Sequence, residues 1–140
     1  MSLDVTLYRN YHVSYDGGKT LEEREEDLYS ANITHNLRKM ADAAGLYEAL
    51  WRPHRLKEGY NIPENDNDAE YKFETRNPVK AYEIISIIEK GLEDMLARPE
   101  HYRTFDSPNG WGLYVHFIPF IEQYLEALKK YPESFVDCDR

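Results

Sequence analysis

The chain has 140 residues, 41% of them hydrophobic and 31% charged, with a formal net charge of −9. That balance specifies one globular domain and excludes two classes of function. No apolar run approaches the roughly 20 residues of a membrane span, and duplex nucleic acid requires a basic face that this chain lacks.

The acidity is local. Residues 14–27 carry six acids against Lys19 and Arg24, and residues 64–70 carry four acids and no base. The remainder is close to neutral. A single cysteine, Cys138, rules out a disulfide framework and fits a reducing compartment. With neither a basic nor an apolar leader at the start, the expected location is cytoplasmic.

Residues 4–15 alternate loosely around Val5, Leu7, Tyr11, Val13 and Tyr15, the β-branched and aromatic pattern of a strand. Asp16-Gly17-Gly18 is a hairpin turn, because both glycines reach positive φ without a steric cost. The chain then returns to about residue 33 as a second strand, although the glutamates of 21–27 favour helix by propensity. Thr34 is placed to cap a helix, and Leu37, Met40, Ala41 and Ala44 recur on one helical face. Gly45 stops that helix. A short second piece over 46–51 is closed by Pro53.

From 52 to 76 the composition turns polar and reads as one long surface loop. Asn77-Pro78 has the form of a cap followed by proline at the first helical position. The stripe Val79, Tyr82, Ile85, Ile88, Leu92 and Met95 follows and ends at Arg98-Pro99. A last helix is expected over about 111–130, with Tyr114, Phe117, Ile118, Ile121, Tyr124, Leu125 and Leu128 inward and a kink at Pro119. Residues 134–139 form a closing strand. The expected fold class is α+β: a small antiparallel sheet, made of the N-terminal hairpin and the C-terminal strand, packed on three to four helices.

Signatures of catalysis and of metal binding are missing. The histidines at 12, 35, 54, 101 and 116 offer no helical ligand pair, and residues 65–68 lack the glycine and terminal glutamate of a calcium loop. No nucleophile elbow, dinucleotide fingerprint or P-loop is present. Cys138 lies between two acids, which raise a thiol pKa. No catalytic residue, metal or cofactor is assigned.

Binding chemistry concentrates in three places. The strand-to-helix corner holds Asn32, Thr34, His35 and Asn36, where unpaired N–H groups and the helix dipole favour a phosphate or carboxylate. The same side chains also suit a self-contained capping network. Trp51, Arg52, His54 and Arg55 form the most basic spot in the chain. Asn109-Gly110-Trp111-Gly112, with Tyr114 and His116, presents a tryptophan flanked by glycines, which either stacks on a planar ligand or plugs the core. Converging in space, the three would make one concave anion site.

The segments Tyr29-Ser30-Ala31-Asn32-Ile33-Thr34-His35-Asn36-Leu37, Ala44-Gly45-Leu46-Tyr47, Leu50-Trp51-Arg52-Pro53 and Asn109-Gly110-Trp111-Gly112-Leu113-Tyr114 carry a resemblance. Through them the chain is similar to a family of small, mostly uncharacterised proteins that recur in bacteriophages, prophages and bacteria. The likeness covers most of the chain outside the 19–27 arm and 56–76, departs at Pro119, and assigns no chemistry to any residue. It implies a phage-related accessory context in the host cytoplasm, where small proteins that bind host proteins or sequester signalling molecules are common.

The functional expectation is therefore a non-enzymatic, phage-type accessory protein that binds a small anionic or nucleotide-like ligand. One alternative is counter-defence, as an acidic inhibitor of a basic host defence protein; another is an uncharacterised enzyme. No membrane or duplex nucleic acid partner is expected, and the sequence leaves homo-oligomerisation open.

Overall fold

In the computed structural model, which describes residues 2–140, the first turn follows from its glycines. φ is +73° at Gly17 and +92° at Gly18, so the chain doubles back where a side chain would resist. Asp16 Oδ1 accepts from the Thr20 N–H at 2.9 Å and Ser14 Oγ accepts from the Gly18 N–H at 2.8 Å, which fixes the tip. Strands β1 (Ser2–Val13) and β2 (Glu22–Thr34) form the resulting hairpin. Two further strands complete an antiparallel sheet, β3 (Val79–Lys80) and β4 (Phe135–Asp139), in the order β2-β1-β4-β3.

Period-2 alternation decides which face of the sheet is covered. Leu3, Val5 and Leu7 are fully buried, while Asp4 is exposed and Thr6 and Tyr8 are half-buried. Helices lie against the buried face: α1 (Arg38–Ala43), α2 (Tyr47–Trp51), α4 (Ile85–Ala97) and α6 (Tyr114–Lys130), with α3 (Asn67–Arg76) and α5 (Pro99–Arg103) alongside. Ile88, Leu92, Phe117, Ile121 and Leu125 join one buried cluster, with Ile85 at its margin. Each large apolar side chain buried this way contributes roughly 1.5–3 kcal/mol. Gly91 lets α4 press against Leu46, between α1 and α2, since a Cβ there would stand 2.3 Å from Leu46 Cδ2. The α+β class read from the sequence is the observed one.

Local departures from the sequence reading have clear causes. Asn77-Pro78 does not open a helix. Val79–Lys80 instead pairs with β4, and the Ala81 and Tyr82 N–H groups donate to the carbonyls of Ser134 and Pro132 at 2.9 and 3.0 Å. The α4 helix therefore starts at Ile85; Ile88, Leu92 and Met95 of the stripe are buried as expected, while Tyr82, ahead of the helix, is 54% exposed. Residues 52–76 are not one loop either. A 3-10 turn covers Pro53–Leu56, and α3 is capped by Asp66 Oδ1, which accepts from the Ala69 N–H at 3.1 Å. The last helix begins at Tyr114 rather than at 111.

β4 pairs with β1 only from Asp4 to Tyr8. Beyond it the hairpin continues as a two-stranded ribbon, residues 9–13 against 22–26, with almost every side chain exposed. A register shift between Leu7 and Tyr8 leaves Leu28 as an extra residue on β2. No helix among the described residues is long and apolar enough to cross a membrane.

Candidate functional site

Where β2 ends, Thr34 takes an extended conformation and its Oγ1 accepts from the Asn36 N–H at 3.3 Å, capping a 3-10 turn over His35–Leu37. The turn aims Asn36 across the molecule, and its Nδ2 donates to the Trp111 carbonyl at 2.7 Å. The loop that carries Trp111 is shaped locally. Asn109 Oδ1 accepts from Ser107 Oγ at 2.6 Å and from the Trp111 N–H at 2.9 Å, closing an Asx turn. Gly110 and Gly112 have φ of +76° and +120°, and a Cβ on Gly112 would meet Asn36 Cβ at 2.9 Å. Only glycine lets the loop lie this close to the corner.

The consequence is a groove of about 490 Å³ lined by Asn32, Ile33, Thr34, Leu37, Gly110, Trp111, Gly112, His116 and Phe120. Trp111 stands 72% exposed at its edge. A large aromatic ring held in solvent by two glycines and an asparagine is available for contact. The floor is apolar (Ile33, Leu37, Phe120), and Asn32, Thr34 and His116 make its polar border. His116 is the only titratable group in the lining. Asn32 is partly engaged, its Nδ2 donating to Asp4 Oδ1 at 2.6 Å, which leaves its carbonyl oxygen open.

The structure thus brings together Asn32, Thr34 and Trp111, with Asn36 and Asn109 building the wall. The other expected residues lie elsewhere. His35 faces a second groove of about 310 Å³, shared with Arg38, Lys39 and Phe105, and its ring meets Trp51 edge-on at 6.3 Å. Trp51 is 1% exposed and stacked on Tyr47, a core residue because α2 turns that face inward. Tyr114 is buried too, its hydroxyl donating to the Met95 carbonyl at 2.9 Å to join α6 to α4.

Arg52, His54 and Arg55 do not form an open cationic edge. All three converge on Glu70 of α3: Arg52 Nη1 and His54 Nε2 on Oε2, the latter at 2.9 Å, and Arg55 Nη2 on Oε1 at 2.7 Å. Tyr60 donates a further hydrogen bond to Oε1 at 2.9 Å. Burial alone would raise the Glu70 pKa, but the bonds from Arg55, His54, Tyr60 and Arg52 outweigh it and hold the carboxyl well below the usual carboxylate range. A carboxylate only accepts, so His54 carries its proton on Nε2. Desolvation pushes the His54 pKa down despite Glu70 and Glu74. The imidazole is therefore neutral at pH 7, and this cluster is a structural latch.

His116, expected beside Trp111, lines the groove, and Phe120, which sequence reasoning missed, completes it. Their i, i+4 spacing on α6 placed them on one helix face, which is the signal that could have joined them. Among the described residues, no group of three or more His, Cys, Asp or Glu is placed to hold a metal ion. No protein-family model, no curated protein and no solved structure matches the chain.

Proposed function

We propose that the protein is a non-enzymatic, phage-type accessory protein whose Trp111 groove binds a small, planar, polar ligand such as a nucleobase or nucleoside-like group. One observation carries the reading: Trp111 is 72% exposed beside an apolar floor while two hydrogen bonds, to its N–H and its carbonyl, and two flanking positive-φ glycines fix its backbone. The flat face of a base would stack on the indole, and its polar edge would meet the Asn32 carbonyl and Thr34. Stacking of this kind contributes roughly 1–3 kcal/mol per base. The groove volume falls within the range of small-molecule sites.

The groove lining contains no Lys or Arg. An anionic part of the ligand would have to reach Arg38 and Lys39 in the neighbouring groove, past the Asn36 wall. The base, rather than the phosphate, is therefore the recognised part. The test is thermal shift and calorimetry with a panel of bases, nucleosides, nucleotides and cyclic dinucleotides. A ligand at ten times its dissociation constant stabilises by about 1.4 kcal/mol through mass action. Trp111→Ala should abolish that shift, and a panel that moves neither protein sinks the reading.

A second reading, docking on a basic host protein, is favoured by the projecting ribbon, which exposes Tyr15 and Leu21 in an acidic arm. The test is hydrogen exchange across residues 9–27 on adding a folded, strongly basic protein at low and physiological salt. Protection confined to the arm is expected. Unchanged exchange at both salts removes this reading.

A further inference from the structure

β2 is the outermost strand of the sheet, and its outer edge pairs with no other strand. Its last residues, Asn32, Ile33 and Thr34, border the Trp111 groove. Among the described residues, no backbone group of residues 22–31 bonds to anything but β1. The opposite edge of the sheet is protected by its shortness, since β3 has two residues. β2 has no such protection and depends on charge.

That charge is sorted by face. Directly paired residues share a face in an antiparallel ladder. Arg9, Tyr11 and Val13 lie with Glu26, Arg24 and Glu22, and this face neutralises itself. Arg9 pairs with Glu26 at 2.6 Å, Arg24 pairs with Glu22 at 3.3 Å, and the two guanidiniums sit over the rings of Tyr11 and Tyr15. On the other face Tyr8, Asn10 and His12 lie opposite Asp27, Glu25 and Glu23. Those three acids have no ion pair among the described residues, and they recur at every second position.

We infer that the outer edge of β2 takes up an extended basic segment of another protein as a fifth strand, with Lys or Arg at alternate positions opposite Glu23, Glu25 and Asp27. Two separate features of the edge call for the same occupant. The open backbone groups need an extended chain to pair with. The unpaired acids, spaced by two, need cations with the period of a strand. A second copy of this chain meets the first demand and fails the second, because antiparallel self-pairing over the arm sets acid against acid. The same three residues thus repel a copy and attract a basic strand. The inference rests on the protein-partner reading above and is independent of the Trp111 groove.

The test uses the full chain and three labelled peptides: one alternating Lys with Thr, one alternating Glu with Thr, and one alternating Lys with Pro, which carries the same charge but cannot complete a ladder. Anisotropy titration is read together with hydrogen exchange of β2. The Lys–Thr peptide should bind and protect amides of residues 22–27, the Lys–Pro peptide should not protect them, and the Glu–Thr peptide should not bind. Glu23→Gln/Glu25→Gln/Asp27→Asn should weaken the Lys–Thr peptide about tenfold, three exposed ion pairs together, while Trp111→Ala leaves it unchanged. Equal binding and protection by the Lys–Pro peptide would overturn strand addition in favour of diffuse attraction. Binding unaltered in the triple variant, or a dimer held through β2 in sedimentation of the wild type, would overturn it also. If the peptide fails while a folded basic protein still protects the arm, strand addition falls and the docking reading stands. If both fail, both fall.

Discussion

Asn36 and Trp111 lie 75 positions apart in the chain, and the amide of one donates to the carbonyl of the other at 2.7 Å. This bond fixes the ring-bearing loop to the end of β2. Asn36→Ala should cost about 0.5–1.5 kcal/mol in urea denaturation, the net worth of one hydrogen bond. Asn36→Asp should cost at least as much, because a carboxylate cannot donate to a carbonyl. Both substitutions should also weaken ligand binding in the calorimetric panel more than they lower stability. Variants indistinguishable from wild type in both assays would show that the loop holds its shape by the Asx turn and glycines alone.

Gly91 lies where α4 crosses the chain between α1 and α2, facing a fully buried Leu46. Alanine there gains up to about 1 kcal/mol of helix propensity. The methyl would sit 2.3 Å from Leu46 Cδ2 and 2.5 Å from Cγ, so the leucine must leave its rotamer. Overpacking of this kind costs about 1–3 kcal/mol, so Gly91→Ala should lower the urea midpoint. Leu46→Ala should then cost less in the Gly91→Ala background than in the wild type, because the added methyl occupies part of the vacated space. A Gly91→Ala protein more stable than wild type would mean that the two helices separate freely.

The Glu70 latch makes stability fall with acid in two stages. The folded state lowers the His54 pKa from 6.5, so its contribution is complete above that pH and declines below it. Glu70 is likewise lowered from 4.5, so its contribution is complete above 4.5 and is lost as the pH falls further. Denaturation midpoints should therefore drop modestly between pH 7 and 5 and steeply below 4.5. His54→Gln keeps a donor for Glu70 but does not titrate, and should flatten the first stage only. Glu70→Gln leaves two half-buried guanidiniums without a counter-charge and should cost about 3 kcal/mol at neutral pH. A profile flat from pH 7 to 4 would refute the latch.

Replacing Glu22, Glu23, Glu25 and Glu26 together by glutamine should leave the urea midpoint within about 1 kcal/mol, since exposed pairs contribute little. The same variant should self-associate at neutral pH, because an open edge strand loses its repulsion. Sedimentation velocity at several concentrations reads this directly. An unfolded or wholly monomeric variant would show that the carboxylates serve some other purpose.

The elements that were legible in the sequence are those whose buried face is apolar. The hairpin announced itself through Asp16-Gly17-Gly18, α6 through its stripe, and β4 through Phe135 and Val136 between polar ends. The α3 helix was hidden because the residue it buries is Glu70, an acid that looked like part of a solvated loop. The same concealment made Arg52, His54 and Arg55 look unengaged, since their partner lies 15 to 18 positions away. β3 was masked by a proline in a helix-starting context, and its two residues are strand only because β4 lies beside them. Half of the groove was visible as Asn32, Thr34 and Trp111. Tyr114 and Trp51 misled because tyrosine and tryptophan serve cores and surfaces equally well, and only the phase of the finished helices decides between them.

The extra residue Leu28 sets the polarity of everything beyond it. On the body of the sheet, β2 sends its odd positions (Tyr29, Ala31, Ile33) toward the helices; past the bulge the even positions Glu26, Arg24 and Glu22 take that side. Asp27, Glu25 and Glu23 consequently fall on the outer surface, the same face that carries Asp4 of β1 and Asp137 and Asp139 of β4. Holding one leucine out of the ladder thus gathers the unpaired acids of the arm onto the face that already bears the carboxylates of β1 and β4. Were Leu28 paired with Tyr8 instead of held out of the ladder, the ribbon beyond would slip by one residue and the three unpaired acids would move to the opposite face of the sheet.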